Sequence, residues 1–222
     1  MPSKPLIRVK ENPYHVTARC NNKEPFQIPL TDVWSVFCFE IKEIIEKYEC
    51  KIHAFVLMPN HFHLLISTPK DDLGVIMQTF MVAITKKLNS ISGRSGRIFG
   101  ARYHWSLIDN DQYYDSALKY VYRNPVKARL IEKVENYPFN TLNFVLNDHF
   151  SDFLVEPPVG HTQNIPENNS QQFLLWLNQP FQKEQESAIK GAFRKPRFNP
   201  PKTGWKNSSA VLDTFRAMNV TR

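Results

Sequence analysis

Two histidines separated by one large apolar residue form the first pattern in this sequence that could do chemistry. Residues 58–66 read Met-Pro-Asn-His-Phe-His-Leu-Leu-Ile. In a β-strand, successive side chains point to opposite faces, so His61 and His63 would share one face while Phe62 anchors the other. Neutral imidazole is a common ligand of divalent metals. The pair therefore indicates a metal site, although a strand of this pattern can also be purely structural.

A second segment could supply a nucleophile. Residues 117–130 read Ala-Leu-Lys-Tyr-Val-Tyr-Arg-Asn-Pro-Val-Lys-Ala-Arg-Leu. Residues four apart lie on one face of a helix, so Tyr120 and Asn124 would point the same way. A phenol would then lie beside an amide oxygen able to complete the metal site. Pro125 disfavours α conformation at Asn124 and places it near a helix end or a kink. The alternative role for Tyr120 is that of an ordinary core aromatic.

The elements that must position these residues alternate along the chain. Strand patterns occur at 13–20, 51–57, 61–67 and 102–108, and helical patterns at about 32–48, about 72–92 and after the cap at 109–111. The order is strand, helix, two strands, helix, strand, helix. It predicts the α+β class, with a split β-α-β antiparallel sheet and helices on one face.

The charge balance favours a polyanionic partner. The chain of 222 residues carries a net charge of +7, and its isoelectric point is about 9.3. Such a balance suits nucleic acid, but a merely basic protein would show it too.

Cysteine content and hydropathy indicate the compartment. The three cysteines (Cys20, Cys38 and Cys50) are too few and too scattered for a disulfide framework, which favours a reducing cytoplasm. No signal peptide is expected at the start of the sequence. No apolar run approaches the roughly 18 residues of a membrane span, so we expect no membrane partner and a cytoplasmic, nucleoid-associated protein.

Composition divides the chain into three predicted parts. Residues 1–149 contain both motifs. Residues 150–181 contain no Lys or Arg and are rich in Pro and Asn, which predicts a partly extended linker or surface wrap. Residues 182–222 carry nine Lys or Arg against three acids, with aromatics interleaved. This predicts a basic tail that contacts DNA, and the alternative is a disordered, solubilising tail.

The two motifs resemble those of a known family. Residues 58–65 (Met-Pro-Asn-His-Phe-His-Leu-Leu) and 119–128 (Lys-Tyr-Val-Tyr-Arg-Asn-Pro-Val-Lys-Ala) are similar to the motifs of the single-tyrosine HUH transposases. Within that family they most resemble the REP-associated tyrosine transposases. The resemblance covers roughly residues 10 to 145, and Lys119 departs from the more usual arginine. It implies a ferredoxin-like catalytic domain, a divalent metal (Mg²⁺ or Mn²⁺) and single-stranded or hairpin DNA as substrate.

The resemblance also implies roles for individual residues. Tyr120 matches the nucleophile, His61 and His63 match metal ligands, and Asn124 matches the residue that completes the metal shell. The side chains expected to bind DNA are Arg102, His104, Arg123, Lys127, Arg129, Arg194, Lys195, Arg197 and Lys202. His53 is expected to serve packing or to support the metal ligands from behind, and no pattern marks His15.

These residues predict a transposase that cleaves and rejoins single-stranded, REP-like hairpin DNA through a 5′-phosphotyrosine intermediate. One alternative is a non-catalytic protein that binds DNA hairpins and descends from such a transposase. A replication-initiator or relaxase nuclease is a second, and a structural zinc protein is a third. A monomer and a homodimer are both compatible with the sequence.

Overall fold

The computed structural model describes residues 6–10, 12–146, 153–156 and 171–200, without the side chains of residues 111 and 112. Four strands and six helices occur in these ranges, together with two short 3₁₀ turns. The strands are β1 (Tyr14–Arg19), β2 (Lys51–Met58), β3 (His61–Ser67) and β4 (His104–Leu107). The helices are α1 (Leu30–Tyr48), α2 (Leu73–Ser92), α3 (Asp111–Lys127), α4 (Leu142–Leu146), α5 (Gln171–Asn178) and α6 (Lys183–Ala192). The 3₁₀ turns are Asn21–Lys23 and Val134–Asn136.

The strands form one antiparallel sheet in the order β2-β3-β1-β4. The chain runs β1-α1-β2-β3-α2-β4, and the two central strands are β1 and β3. This is the split β-α-β arrangement, so the predicted α+β class is confirmed. Because β1 and β3 are adjacent, residues at the end of β1 lie beside the histidines of β3.

Helices α1 and α2 cover one face of the sheet and enclose the first core. Alternate residues of β1 and β3 point into this core, as does the apolar stripe of α1. Phe37 of α1 lies at its centre, with ring centroids 5.4 Å from Phe55, 5.4 Å from Phe62 and 5.8 Å from Phe80. Helix α2 begins at Asp72, whose carboxylate accepts the Gly74 amide at 2.7 Å.

A second core lies on the opposite face. Helices α3, α5 and α6 pack there against the other side chains of β2 and against Leu65 of β3. The arrangement expected from the sequence therefore needs one correction, because helices cover both faces of the sheet and not one. The physical reason is that β2 presents apolar side chains on both of its sides, so each face requires a cover.

Part of the predicted linker or surface wrap is helical. Gln171–Asn178 forms a helix, not an extended segment, and its Phe173 and Trp176 are buried in the second core. Val155 forms a parallel bridge with Ile52 at the edge of β2. Residues 201–222 of the predicted tail lie outside the described residues, and the proposed domain boundaries stay predictions. Within the described ranges, no helix is long and apolar enough to cross a membrane.

Candidate functional site

The β2–β3 hairpin presents the two histidines. Its turn contains only Pro59 and Asn60, so β3 begins directly after it. Phe62 is buried in the first core, whereas His61 and His63 lie on the other face with ring centroids 5.1 Å apart. The shared face expected from strand alternation is therefore present.

Hydrogen bonds determine which nitrogen of His61 carries the proton. The Asn60 amide nitrogen donates to the Lys23 carbonyl oxygen at 2.6 Å, which turns the Asn60 amide oxygen toward His61. That oxygen lies 2.7 Å from Nδ1 of His61. Because an amide oxygen only accepts, Nδ1 must donate, and Nε2 of His61 keeps its lone pair.

His63 makes a similar contact with His15, a residue that the sequence interpretation did not identify. His15 is buried on β1, and its Nε2 lies 2.8 Å from Nδ1 of His63. When Nδ1 of His63 donates in this bond, Nε2 of His63 keeps its lone pair. The signal for His15 was the alternation along β1, where Tyr14 and Val16 point into the first core and His15 points to the opposite face.

Burial keeps these imidazoles neutral at neutral pH. Desolvation, assisted by the nearby charge of Arg19, lowers the pKa of His61 to about 4. Desolvation lowers the pKa of His15 to about 3. The pKa of His63 is also well below its usual value, first because of burial and then because of its charged neighbours. Neutral imidazole is the form that binds metal ions.

Helix α3 brings Tyr120 to the histidines. The Tyr120 ring stands edge-on to the His63 ring, with centroids 6.0 Å apart at 87°. The side chain is 8% exposed, and burial raises its pKa, with Glu186 adding to the effect and Arg19 and Arg194 opposing it. Its hydroxyl has no hydrogen-bond partner in the described part of the chain. The sequence motifs thus converge in space, although the phenol is more buried than an open site requires.

Asn124 lies within α3, one turn after Tyr120. Its amide nitrogen donates to the Tyr120 carbonyl oxygen at 2.8 Å and to that of Val121 at 3.4 Å. Pro125 lacks an N–H for the Val121 carbonyl, and the Asn124 amide takes that place while the helix continues to Lys127. With its nitrogen engaged on the backbone, the amide oxygen of Asn124 is left as an acceptor.

The segment that follows α6 covers the site. Phe193 packs with its ring centroid 4.0 Å from that of His15 and 5.1 Å from that of Tyr120. It also stacks on Phe198 at 4.4 Å. This cover was not anticipated, since the sequence interpretation assigned the region to a DNA-contacting tail.

Most of the side chains predicted to bind DNA are exposed. They are Arg102, His104, Lys127, Arg129, Arg194, Lys195 and Arg197. His104 pairs with Thr17 across β1 and β4, at the site end of the sheet. Lys202 lies outside the described residues. All of these DNA contacts stay predictions.

Arg123, Lys127 and Arg197 form bonds to other parts of the protein. Lys127 forms an ion pair with Glu186 of α6 at 2.5 Å, and Arg197 forms one with Asp109. Arg123 donates to two carbonyl oxygens at the C-terminal end of α5, one of them at 3.0 Å. A DNA contact by any of these residues would have to compete with these bonds.

The chain shares sequence and fold with known transposases. The profile of the family described as Transposase IS200 like matches residues 8–124, which is more than half of the chain. A Haemophilus influenzae protein provisionally named REP-associated tyrosine transposase is 26% identical over 51% of this chain and 71% of its own length. The REP-associated tyrosine transposase of Escherichia coli K12 is 28% identical over 42% of this chain, which spans about half (54%) of that relative.

A solved structure of a REP-associated tyrosine transposase bound to a REP hairpin has the same fold. It superposes with a TM-score of 0.57 at 22% identity, and the match covers 72% of this chain and 96% of that one. The resemblance read from the two motifs is therefore confirmed. With its β1-α1-β2-β3-α2-β4 core and its matching profile, the chain belongs to the IS200-like transposase family.

Proposed function

We propose that this protein is a metal-dependent transposase that cleaves and rejoins single-stranded hairpin DNA with Tyr120 as nucleophile. The observation that carries the proposal is the convergence of Tyr120 from α3 with His63 from β3, at a ring separation of 6.0 Å. Family membership supports the transposase activity. The relative solved with a REP hairpin supports hairpin DNA as the substrate class.

A divalent metal would be held by Nε2 of His61, Nε2 of His63 and the amide oxygen of Asn124. The donor set fits because both imidazoles are neutral and engage the rest of the protein through Nδ1, as metal-binding histidines usually do. No group of three His, Cys, Asp or Glu side chains in the described ranges offers another site. Mixed nitrogen and oxygen ligands suit Mg²⁺ or Mn²⁺, and the imidazoles favour Mn²⁺. When bound, the ion would neutralise charge on the scissile phosphate.

The phenol oxygen of Tyr120 attacks the phosphorus and displaces the 3′ oxygen of the preceding nucleotide. One P–O bond forms and one breaks, so the product is a 5′-phosphotyrosine and a free 3′-hydroxyl. The phenol proton passes to water and the leaving oxygen takes one up, so no net proton is consumed. Attack by another 3′-hydroxyl reverses the step and rejoins the DNA without a nucleotide cofactor.

One observation favours hairpin binding without cleavage as a second candidate function. Tyr120 is only 8% exposed beneath Phe193, and burial raises the pKa of its phenol, which makes the phenolate harder to form. DNA binding must displace Phe193 before the phenol can reach a phosphate. A protein in which Phe193 stays in place would bind hairpins and leave them intact.

Covalent capture separates the two functions. The protein is incubated with an end-labelled REP-like hairpin that carries single-stranded flanks, in Mn²⁺, and is analysed on a denaturing gel. We expect a shifted protein–DNA adduct that Tyr120→Phe abolishes while hairpin binding persists. Tyr48→Phe, which alters a hydroxyl bonded to Thr79 beneath the opposite face, should retain the adduct.

Two further controls test the metal. His61→Ala and a chelator should each abolish the adduct. Binding without an adduct in the unaltered protein would establish the second function. An adduct that survives Tyr120→Phe would exclude Tyr120 as the nucleophile.

A further inference from the structure

Arg19 at the end of β1 lies beside the candidate site. It pairs directly with His61 in the β1–β3 register, and its carbonyl oxygen accepts the Gly100 amide at 3.0 Å. Ala18 points into the first core, so strand alternation places the Arg19 side chain on the face of His61 and His63. Directly opposed residues on one face of an antiparallel pair have Cβ atoms about 5 Å apart. The guanidinium therefore extends from a fixed backbone position next to a proposed metal ligand.

The β1–β3 register places the charge of Arg19 near the site. Arg19 lies opposite His61, and the next residues on the same face, Thr17 and His63, lie opposite each other. The side chain is exposed and has no carboxylate partner among the described residues. The neighbouring Lys127, by contrast, is neutralised by Glu186. Arg19 is thus an exposed positive charge on the strand face where Tyr120 meets the histidines.

We propose that Arg19 binds the non-bridging oxygens of the phosphate that Tyr120 attacks and stabilises the charge that develops on them. This role rests on the proposed function. A guanidinium matches two phosphate oxygens with parallel hydrogen bonds, which an ammonium cannot do. Donors already aimed at a developing charge contribute most to the transition state and little to ground-state binding. The bonds formed and broken at phosphorus are the same as in the reaction proposed above. Arg19 neither gives up nor accepts a proton.

The test varies the charge of Arg19 and the charge of the phosphate together. Once the cleavage position of the unaltered protein is mapped, a hairpin is made with a methylphosphonate there, which replaces one charged oxygen by a neutral methyl group. Adduct formation is measured at saturating DNA for the unaltered protein and for Arg19→Gln. With the ordinary phosphodiester we expect Arg19→Gln to be slower by roughly 100-fold or more. With the methylphosphonate we expect most of that difference to disappear.

Three controls keep the result specific. Lys42→Gln removes another exposed cation, from α1 on the opposite face, and should leave the rate unchanged. Arg19→Lys keeps the charge but loses the paired hydrogen bonds, so its rate should lie between those of the unaltered protein and Arg19→Gln. Added methylguanidinium should partly restore Arg19→Ala, because a free guanidinium can occupy the vacated position, whereas it cannot repair a misfolded site.

The proposal is overturned if Arg19→Gln slows both substrates equally and methylguanidinium fails to restore Arg19→Ala, since the residue would then act through structure. It is also overturned if Arg19→Gln matches Lys42→Gln on the phosphodiester. Failure of the proposed function looks different, because the unaltered protein would then form no adduct that depends on Tyr120. An adduct abolished by Tyr120→Phe but indifferent to Arg19 removes only the role of Arg19.

Discussion

The two faces of the sheet differ in the side chains that the central strands present, which are apolar on one face and mostly polar or charged on the other. Beneath α1 and α2 the sheet presents aromatic and aliphatic side chains, and Phe37 contacts four other phenylalanines there. On the other face the central strands present His15, Arg19 and the two histidines of β3. The first core takes nearly all of its buried residues from the range 14–107, with Phe153 added, whereas the second core extends to Phe198. Both faces bury apolar side chains, and the second face also carries the candidate site.

Substitution of Phe37 should lower the stability of the protein more than any substitution on the second face. Phe37→Ala removes a fully buried ring from the centre of the first core and should lower the free energy of unfolding by about 3–5 kcal/mol. Tyr120→Phe, on the second face, removes a hydroxyl that has no partner in the described structure and should change stability by less than about 1 kcal/mol. Urea unfolding of both variants measures the contrast. A Tyr120→Phe variant as unstable as Phe37→Ala would show that the site tyrosine is a core residue first.

Acid should destabilise the protein through the second face. The folded-state pKa values of His15 and His61, about 3 and about 4, lie below the usual value of a histidine in an unfolded chain. The unfolded chain therefore binds more protons below about pH 6.5. Stability is fully present above that pH and is lost as the pH falls toward the folded-state values, by up to about 1.4 kcal/mol per pH unit for each histidine.

Urea unfolding in chelator at several values from pH 7 to pH 5 tests this prediction. His15→Gln should reduce the change in the free energy of unfolding per pH unit by the contribution of one buried histidine. A slope unaffected by His15→Gln would mean that His15 is not held neutral by burial.

Metal affinity should depend on His15 even though His15 is not expected to bind the metal. Its bond to Nδ1 fixes the orientation of His63, and loss of such a partner commonly costs about 10- to 100-fold in metal affinity. His15→Leu should therefore weaken Mn²⁺ binding by calorimetry, while His15→Gln, whose amide oxygen can accept from Nδ1, should lose less. Equal affinities in the unaltered protein and His15→Leu would show that His15 serves only packing against Phe193.

Much of the sheet could be predicted from the sequence because its signals are local. Strand alternation buried Phe62 and placed His61 and His63 on the opposite face, and the order of patterns gave the split β-α-β sheet. The motifs brought Tyr120 together with His63, but they did not identify the imidazole of His15 behind His63. The alternation of side chains along β1 could have identified His15, because Tyr14, Val16 and Ala18 point into the first core while His15 and Arg19 lie on the opposite face.

The second face was harder to predict because its cover comes from a region of loop-like composition. Phe173, Trp176 and Leu177 have the i, i+3, i+4 spacing of a buried helical face, and this spacing was the signal for α5. Positive charge in the sequence was a weaker indicator of which side chains are available to DNA. Arg197 suggested a phosphate contact, yet it forms an ion pair with Asp109, which only the folded chain places beside it.

The smallest expected effect concerns whether Arg123 serves the fold or the DNA. Its guanidinium donates to two carbonyl oxygens at the end of α5, so Arg123→Met should lower the free energy of unfolding by about 1–3 kcal/mol. Because that charge is already engaged, hairpin affinity and its dependence on salt should hardly change. Arg102→Met, at an exposed position, should do the reverse. The free energy of unfolding of Arg102→Met should stay within about 0.5 kcal/mol of that of the unaltered protein. The slope of log binding constant against log salt concentration should fall in magnitude by about 0.9, which is the contribution of one phosphate contact. If Arg123→Met instead reduces the slope as Arg102→Met does, DNA must draw Arg123 away from α5, and the second face would rearrange on binding.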